Sequence, residues 1–120
     1  MDTTQKQNIE NIKAQLRKGT LEYCVLSILA RNDAYASSII EVLKESEMIV
    51  VEGTLYTILT RLKNQGVLAY RWEESPQGPP RKYYSLSEEG LALLGDMDIV
   101  WGDLVGQINK IRNLQPRLPQ

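Results

Sequence analysis

The sequence contains no histidine, a single cysteine and no long apolar run. Histidine is the usual general base near neutral pH and a common metal ligand, and neither a cysteine cluster nor a glycine-rich phosphate loop takes its place. We therefore expect no enzyme, no metal site and no cofactor. The lone Cys24 lies in the apolar run LEYCVLSILA, where we expect a buried thiol acting as a small hydrophobic residue.

The size and composition predict one soluble folded unit. Of 120 residues, 42% are hydrophobic and 24% are charged, which is the balance of a globular protein rather than a disordered one. No apolar run approaches the ~20 residues that cross a bilayer, and the polar start MDTTQKQNIEN has no signal-peptide core. We expect a cytoplasmic protein without a membrane partner.

Charge is unevenly distributed along the chain, although the net charge is only -1. Between residues 54 and 86 the basic residues outnumber Glu73 and Glu74, whereas residues 87–105 carry acids and no base. The basic residues of the first segment are Arg61, Lys63, Arg71, Arg81 and Lys82. A local basic patch, rather than the total charge, decides whether phosphate is attracted.

Helical periodicity predicts three helices before residue 50. Ile9, Ile12 and Leu16 form a narrow stripe on an amphipathic arm helix, and Thr20 is a suitable N-cap for a central core helix, LEYCVLSILAR. A third helix is predicted from about residue 34 to 47. Its apolar side chains are Ile39, Ile40, Val42 and Leu43.

The following segment predicts a fourth helix and a β-hairpin. EGTLYTILTRLKN ends before Gly66, a suitable left-handed cap, and residues 67–86 have strand character on both sides of a turn, SPQGPP. Ser87 is then expected to cap a C-terminal helix that opens with Glu88 and Glu89. The predicted fold is mainly α with a small β-hairpin, a winged helix-turn-helix over residues 1–86 followed by a long helix and tail over 87–120.

The fourth helix has a face suited to double-stranded DNA. Its apolar stripe is expected to dock on the core, leaving polar residues that hydrogen-bond bases or phosphates and cations that attract phosphate. The stripe comprises Leu55, Ile58, Leu59 and Leu62, and the outward candidates are Thr54, Tyr56, Thr57, Thr60, Arg61 and Lys63. Arg81 and Lys82 follow the hairpin tip, where they are expected to hold phosphates. The alternative for this helix is a merely solvated surface face.

The C-terminal helix carries a regular apolar seam with alternating spacings of three and four residues. Its members are Leu94, Met97, Trp101, Leu104, Ile108 and Ile111. Such a seam either packs back on its own chain or pairs with a second copy. A helix of about 25 residues is roughly 37 Å long, more than so small a domain covers, and this favours a homodimer.

TLYTILTRLKNQGVL followed by PPRKYYSLSEEG resembles the signature of the PadR family of bacterial transcriptional regulators, over roughly residues 20–90. The resemblance implies a dimeric winged-helix repressor that commonly controls a transporter or detoxification gene and is released by a small aromatic ligand. The single C-terminal helix is similar to the short PadR subgroup. Val51 stands where the family usually has a Ser or Thr N-cap, so the first contact of this helix, near Glu52, stays open.

The two tryptophans have different expected roles. Trp72 alternates with Leu68 and Tyr70 on a strand and is expected to pack the wing onto the body. Trp101 lies on the seam beside Gly102, and by resemblance to drug-binding PadR proteins it and Val105 are candidates for binding a planar aromatic effector between two protomers. The alternative for Trp101 is plain interface core.

Two other functions stay open on the sequence alone. One is a winged-helix protein-interaction module without DNA binding, which the acidic total charge and Glu52 favour. The other is an enzyme that uses tyrosines or carboxylates, although no convergent set of such residues is apparent.

Overall fold

The computed structural model describes residues 2–48 and 50–117. The end of the predicted tail, residues 118–120, lies outside the described residues. The described elements in chain order are α1 (Thr3–Arg17), α2 (Leu21–Arg31), β1 (Ala34–Tyr35), α3 (Ala36–Glu45), α4 (Glu52–Asn64), β2 (Leu68–Ser75), β3 (Gly78–Leu86) and α5 (Glu88–Arg112). The predicted mainly helical fold with a wing is therefore confirmed.

One core cluster joins α2, α3, α4 and the base of the sheet. The predicted stripe of α4 is confirmed, because all four of its apolar residues are buried. The largest fully buried side chains are Leu26, Ile39, Leu55, Leu59, Leu62 and Val25. By contrast, no residue of α1 is buried, so this helix is an arm beside the core.

The sheet has three strands rather than the expected two, in the order β1-β3-β2. The third helix was predicted to begin near residue 34, but Ala34 pairs with Tyr84 and Tyr35 with Tyr83, both antiparallel. Tyr35 has extended backbone angles, and its ring centroid lies 4.8 Å from that of Tyr83. Pairing with distant residues therefore overrides the local helical pattern, and α3 begins at Ala36.

The hairpin turn is shorter than the predicted SPQGPP segment. Ser75 pairs with Gly78, so Gly78 and the two prolines after it belong to β3, and the register shifts between Glu73 and Ser75. β1 pairs only with Tyr83 and Tyr84, so it does not run alongside the part of β3 that contains the prolines. This part of β3 lies at an edge of the sheet, where proline, which has no amide hydrogen to donate, is tolerated.

Local capping chemistry decides where several helices begin and end. Gly66 has a φ of 78°, and the Val67 amide donates to the Leu62 carbonyl at 2.9 Å, which confirms the predicted left-handed cap of α4. The predicted cap at Thr20 is wrong. Thr20 occupies the position before α2, but it has helical backbone angles and its side chain makes no capping hydrogen bond; its hydroxyl instead donates to the Arg17 carbonyl at 2.8 Å.

Ser87 fixes the start of α5 against the body. Its Oγ accepts from the Gly90 amide at 3.0 Å, as predicted, and donates towards the carbonyls of Gly66 at 2.6 Å and Val67 at 2.9 Å. Gly90 is buried, and a Cβ there would lie 2.2 Å from the Val67 carbonyl oxygen, so only glycine allows this close approach. The first turn of α5 is thereby held close to the junction of α4 and β2.

Candidate nucleic-acid interface

The outward face of α4 is exposed along its whole length. Burial of the apolar stripe fixes the rotation of the helix, and Thr54, Tyr56, Thr57 and Thr60 are exposed in consequence. The Thr57 hydroxyl donates to the Gly53 carbonyl at 3.0 Å and keeps its methyl group for apolar contact. The start of the helix has no side-chain cap at Val51, as expected.

A groove separates α4 from the wing. We call it the wing groove; it has a volume of about 380 Å³. Its lining residues are Tyr35, Ala36, Ser37, Tyr56, Thr60, Trp72, Pro80, Arg81, Lys82 and Tyr84. It therefore brings together candidates from α4 and β3 that are far apart in sequence, and adds the start of α3.

The cations beside this groove lie over aromatic rings. The Arg81 guanidinium carbon is 3.8 Å from the centroid of Tyr35, and the Lys82 Nζ is 4.6 Å from that of Tyr70. Lys63 of α4 approaches the same Tyr70 ring at 5.6 Å. Contacts of this kind orient a cation while leaving its charge available to a phosphate.

Trp72 does not pack the wing onto the body, and that prediction is wrong. Its side chain is 61% exposed, with an edge contact to Tyr70 at 5.8 Å and the Lys82 Nζ at 5.6 Å from its ring. The strand alternates as predicted, but the wing extends past the body, so burial falls from Leu68 towards the tip. Trp72 and Tyr35 are among the residues of the wing groove that were not predicted as site residues, together with Ala36, Ser37, Pro80 and Tyr84.

Arg61 and Arg71 both form ion pairs with carboxylate side chains. Arg61 forms an ion pair with Glu22 of α2 and lies at the edge of the outer face of α4 rather than at its centre. Arg71 bonds Glu73 at 2.8 Å and Asp33 at 3.4 Å, so the basic patch expected from composition loses one of its members. The hydrogen bond that Arg71 donates to Glu73 is the largest cause of the raised pKa of Arg71.

Part of the predicted seam of α5 packs on its own chain. Leu94 and Met97 are half-buried against the core, as in the alternative of packing on the same chain, and their part in a dimer interface stays a prediction. The remaining members, Trp101, Leu104, Ile108 and Ile111, are exposed. The seam therefore packs on the core as far as Met97 and is exposed from Trp101 onward, where α5 extends beyond the body.

Trp101 lies next to Tyr23, which is hydrogen-bonded to Asp98. Its ring centroid is 6.2 Å from that of Tyr23 on α2, and the Tyr23 hydroxyl donates to Asp98. The hydrogen bond to Asp98, together with partial burial, raises the pKa of Tyr23 above its usual 10.0. Trp101 is 44% exposed, and a Cβ at neighbouring Gly102 would contact nothing within 4 Å.

Cys24 is half-buried against the core, and this burial raises the pKa of its thiol. In the part of the chain that the structure describes, no three His, Cys, Asp or Glu residues are grouped to hold a metal ion. Across residues 2–48 and 50–117, no helix is both long and apolar enough to span a membrane.

The fold and groove are those of a winged helix-turn-helix protein, the architecture of many regulators of transcription. The sequence profile of the transcriptional regulator PadR-like family matches residues 25–96. The chain belongs to this family of transcriptional regulators, and it is accordingly not an enzyme.

Solved structures of related proteins agree with this assignment. A PadR-like transcription factor from Bacteroides fragilis is 54% identical, with 84% of this chain and 98% of that chain covered and a TM-score of 0.73. A PadR family regulator from Eggerthella lenta is 31% identical, with coverage of 95% and 100% and a TM-score of 0.86. Bacillus subtilis PadR, solved with operator DNA, is 18% identical with coverage of 84% and 51% and a TM-score of 0.61, and it supports the fold alone.

Proposed function

We propose that this chain is a cytoplasmic, homodimeric repressor that binds an operator through α4 and the wing. The observation that carries the proposal is the wing groove, in which the exposed polar face of α4 meets Arg81 and Lys82 of β3. Membership of the PadR-like family of transcriptional regulators supports DNA as the partner, and the Bacillus subtilis protein of the same fold was solved in complex with operator DNA.

The two sides of the wing groove are expected to contribute differently. Tyr56, Thr57 and Thr60 present hydroxyl and methyl groups that suit base edges in a major groove. Arg81 and Lys82 are cations beside the helix, a planar guanidinium and a compact ammonium, and both suit phosphates, which carry no sequence information. Trp72 lines the same groove and is proposed to contact the sugar-phosphate backbone.

The experiment compares an upstream fragment that the protein protects with a random duplex of equal length, using fluorescence anisotropy at several salt concentrations. Lys82→Ala should weaken binding to both duplexes and reduce the salt slope by about 1. Thr57→Ala should mainly reduce the preference for the protected fragment. Lys44→Ala, at the end of α3 away from the groove, is the matched control.

Two results would contradict these roles. A loss for Thr57→Ala that is equal on both duplexes, as expected only for Lys82→Ala, would contradict base recognition by this face of α4. If the wild-type protein bound no duplex at low salt, the repressor hypothesis would be wrong. The alternative would then be a protein-interaction module, which Glu52 and the acidic total charge favour.

An aromatic effector is the second part of the proposal. Trp101 keeps much of its ring exposed, Val105 is exposed one turn further along, and Gly102 leaves open space beside them. If the seam pairs two protomers, a two-fold axis brings both copies of this surface together. Planar aromatic compounds would then stack between them and release the operator of a transporter or detoxification gene.

The test uses the two tryptophans as separate reporters. In Trp72→Phe, binding of a planar dye should quench the remaining Trp101 fluorescence and release the operator over the same concentration range. In Trp101→Phe, both effects should disappear. Undiminished quenching in Trp101→Phe would show that the dye binds elsewhere and that Trp101 is interface core.

A further inference from the structure

Arg61 lies between two surfaces of the recognition helix α4. On one side it borders the outer face formed with Tyr56, Thr57 and Thr60. On the other side it borders a cleft of about 680 Å³ at the first turn of α2, where Glu22 is located. The guanidinium forms an ion pair with Glu22, on the side away from the outer face.

The partner of Arg61 occupies the same donors that DNA would use. A carboxylate and a phosphate both accept hydrogen bonds from a guanidinium fork, and a carboxylate beside a phosphate is repelled by it. The Glu22 side chain is only 29% exposed, so its charge is less screened than that of an open surface acid. Binding of Arg61 to DNA and to Glu22 is therefore expected to be competitive.

We propose that Glu22 is an intramolecular competitor of DNA for Arg61 and sets the operator affinity of the protein below the value that α4 alone would give. The proposal rests on the proposed function, because it requires α4 to meet DNA. Glu22 acts only through Arg61 and contacts no DNA itself. It is thus an affinity-setting residue located outside the wing groove.

The neighbouring residue gives this competitor a second connection. Tyr23 follows Glu22 in the first turn of α2, donates to Asp98 of α5 and lies beside the Trp101 ring. One turn of α2 therefore contacts the recognition helix through Glu22 and the C-terminal helix through Tyr23.

The test is a double-mutant cycle on DNA affinity, measured by anisotropy with the protected upstream fragment. Glu22→Gln should tighten binding about 1.4- to 5-fold, which corresponds to the ~0.2–1 kcal/mol of an exposed ion pair at 1.4 kcal/mol per tenfold. The same substitution in an Arg61→Ala background should change the affinity by less than about 1.2-fold, because additivity fails when two residues act on each other.

Two controls separate this effect from others. Glu41→Gln removes the same charge from an exposed residue of α3 and should leave the affinity unchanged. Glu22→Ala should tighten binding as Glu22→Gln does, and thermal unfolding of each variant establishes that it is folded.

Each remaining outcome overturns the proposal. Equal tightening by Glu22→Gln with and without Arg61 would assign the effect to general charge. Weaker binding would show that Glu22 positions Arg61 for DNA, and an unchanged affinity would show that the two do not compete. These three results leave the proposed function intact, whereas a wild-type protein that binds no DNA would remove both.

Discussion

Gly90→Ala tests whether α5 is held against the body as closely as the structure shows. The added Cβ would lie 2.2 Å from the Val67 carbonyl oxygen and 3.1 Å from a Leu86 methyl group. Carbon-oxygen contacts are ordinarily about 3.3 Å or longer, so the first turn of α5 has to move by roughly 1 Å. The obstacle is backbone, which cannot rotate away as the end of a side chain would.

The expected cost follows from the bonds at this junction. The Val67 carbonyl accepts from the Ser87 amide at 3.1 Å and from its hydroxyl at 2.9 Å, and each bond contributes about 1 kcal/mol net. Overpacking adds about 1–3 kcal/mol, and the better helix propensity of alanine returns about 0.5–1 kcal/mol. The free energy of unfolding should therefore fall by about 2–4 kcal/mol.

Urea unfolding followed by circular dichroism measures this change at a fixed protein concentration. Gly95→Ala is the matched control, because a Cβ there contacts nothing within 4 Å in the same helix, and it should stabilise by about 0.5–1 kcal/mol. If Gly90→Ala proved as stable as Gly95→Ala, the close approach of α5 to Val67 would be refuted.

Three further predictions concern other parts of the chain. Glu47 has a φ of 63° after α3, so Glu47→Gly should raise the unfolding free energy by about 0.5–1 kcal/mol in urea titrations. The hydrogen bond to Asp98 raises the pKa of Tyr23. The stability that this hydrogen bond contributes is therefore complete below about pH 10 and is lost as the pH rises through the pKa of Tyr23 in the folded protein. Above about pH 10, the difference in free energy of unfolding between the wild type and Tyr23→Phe should shrink. Ile108→Asp should dissociate the proposed dimer in sedimentation experiments by burying unpaired carboxylates, whereas Asn109→Asp, off the seam, should not.

Features fixed by local chemistry could be predicted from the sequence. The stripe of α4 recurs at helical spacing, and its burial follows because few other apolar faces are available to cover the core. The caps at Gly66 and Ser87 depend on residues at most a few positions away. The outward face of α4, and with it most of the candidate interface, follows from the same periodicity.

Features fixed by distant partners could not be predicted. β1 has two residues, and its pairing depends on Tyr83 and Tyr84 nearly fifty positions later. Strand alternation assigned Trp72 to the correct side of β2 but does not tell how far the body extends beneath it. The ion pair of Glu22 with Arg61 is likewise a tertiary contact, with no signal in the spacing of either residue.

The division of the α5 seam connects these observations to regulation. Leu94 and Met97 anchor the first part of the helix on the core, and Gly90 fixes its start against Val67. From Trp101 onward the same helix has an exposed apolar face. A single rigid helix thus has one end in the DNA-binding domain and the other in the proposed interface. If α5 moves as one body, a change of its angle at the proposed interface alters its contacts with α2, where Tyr23 follows Glu22.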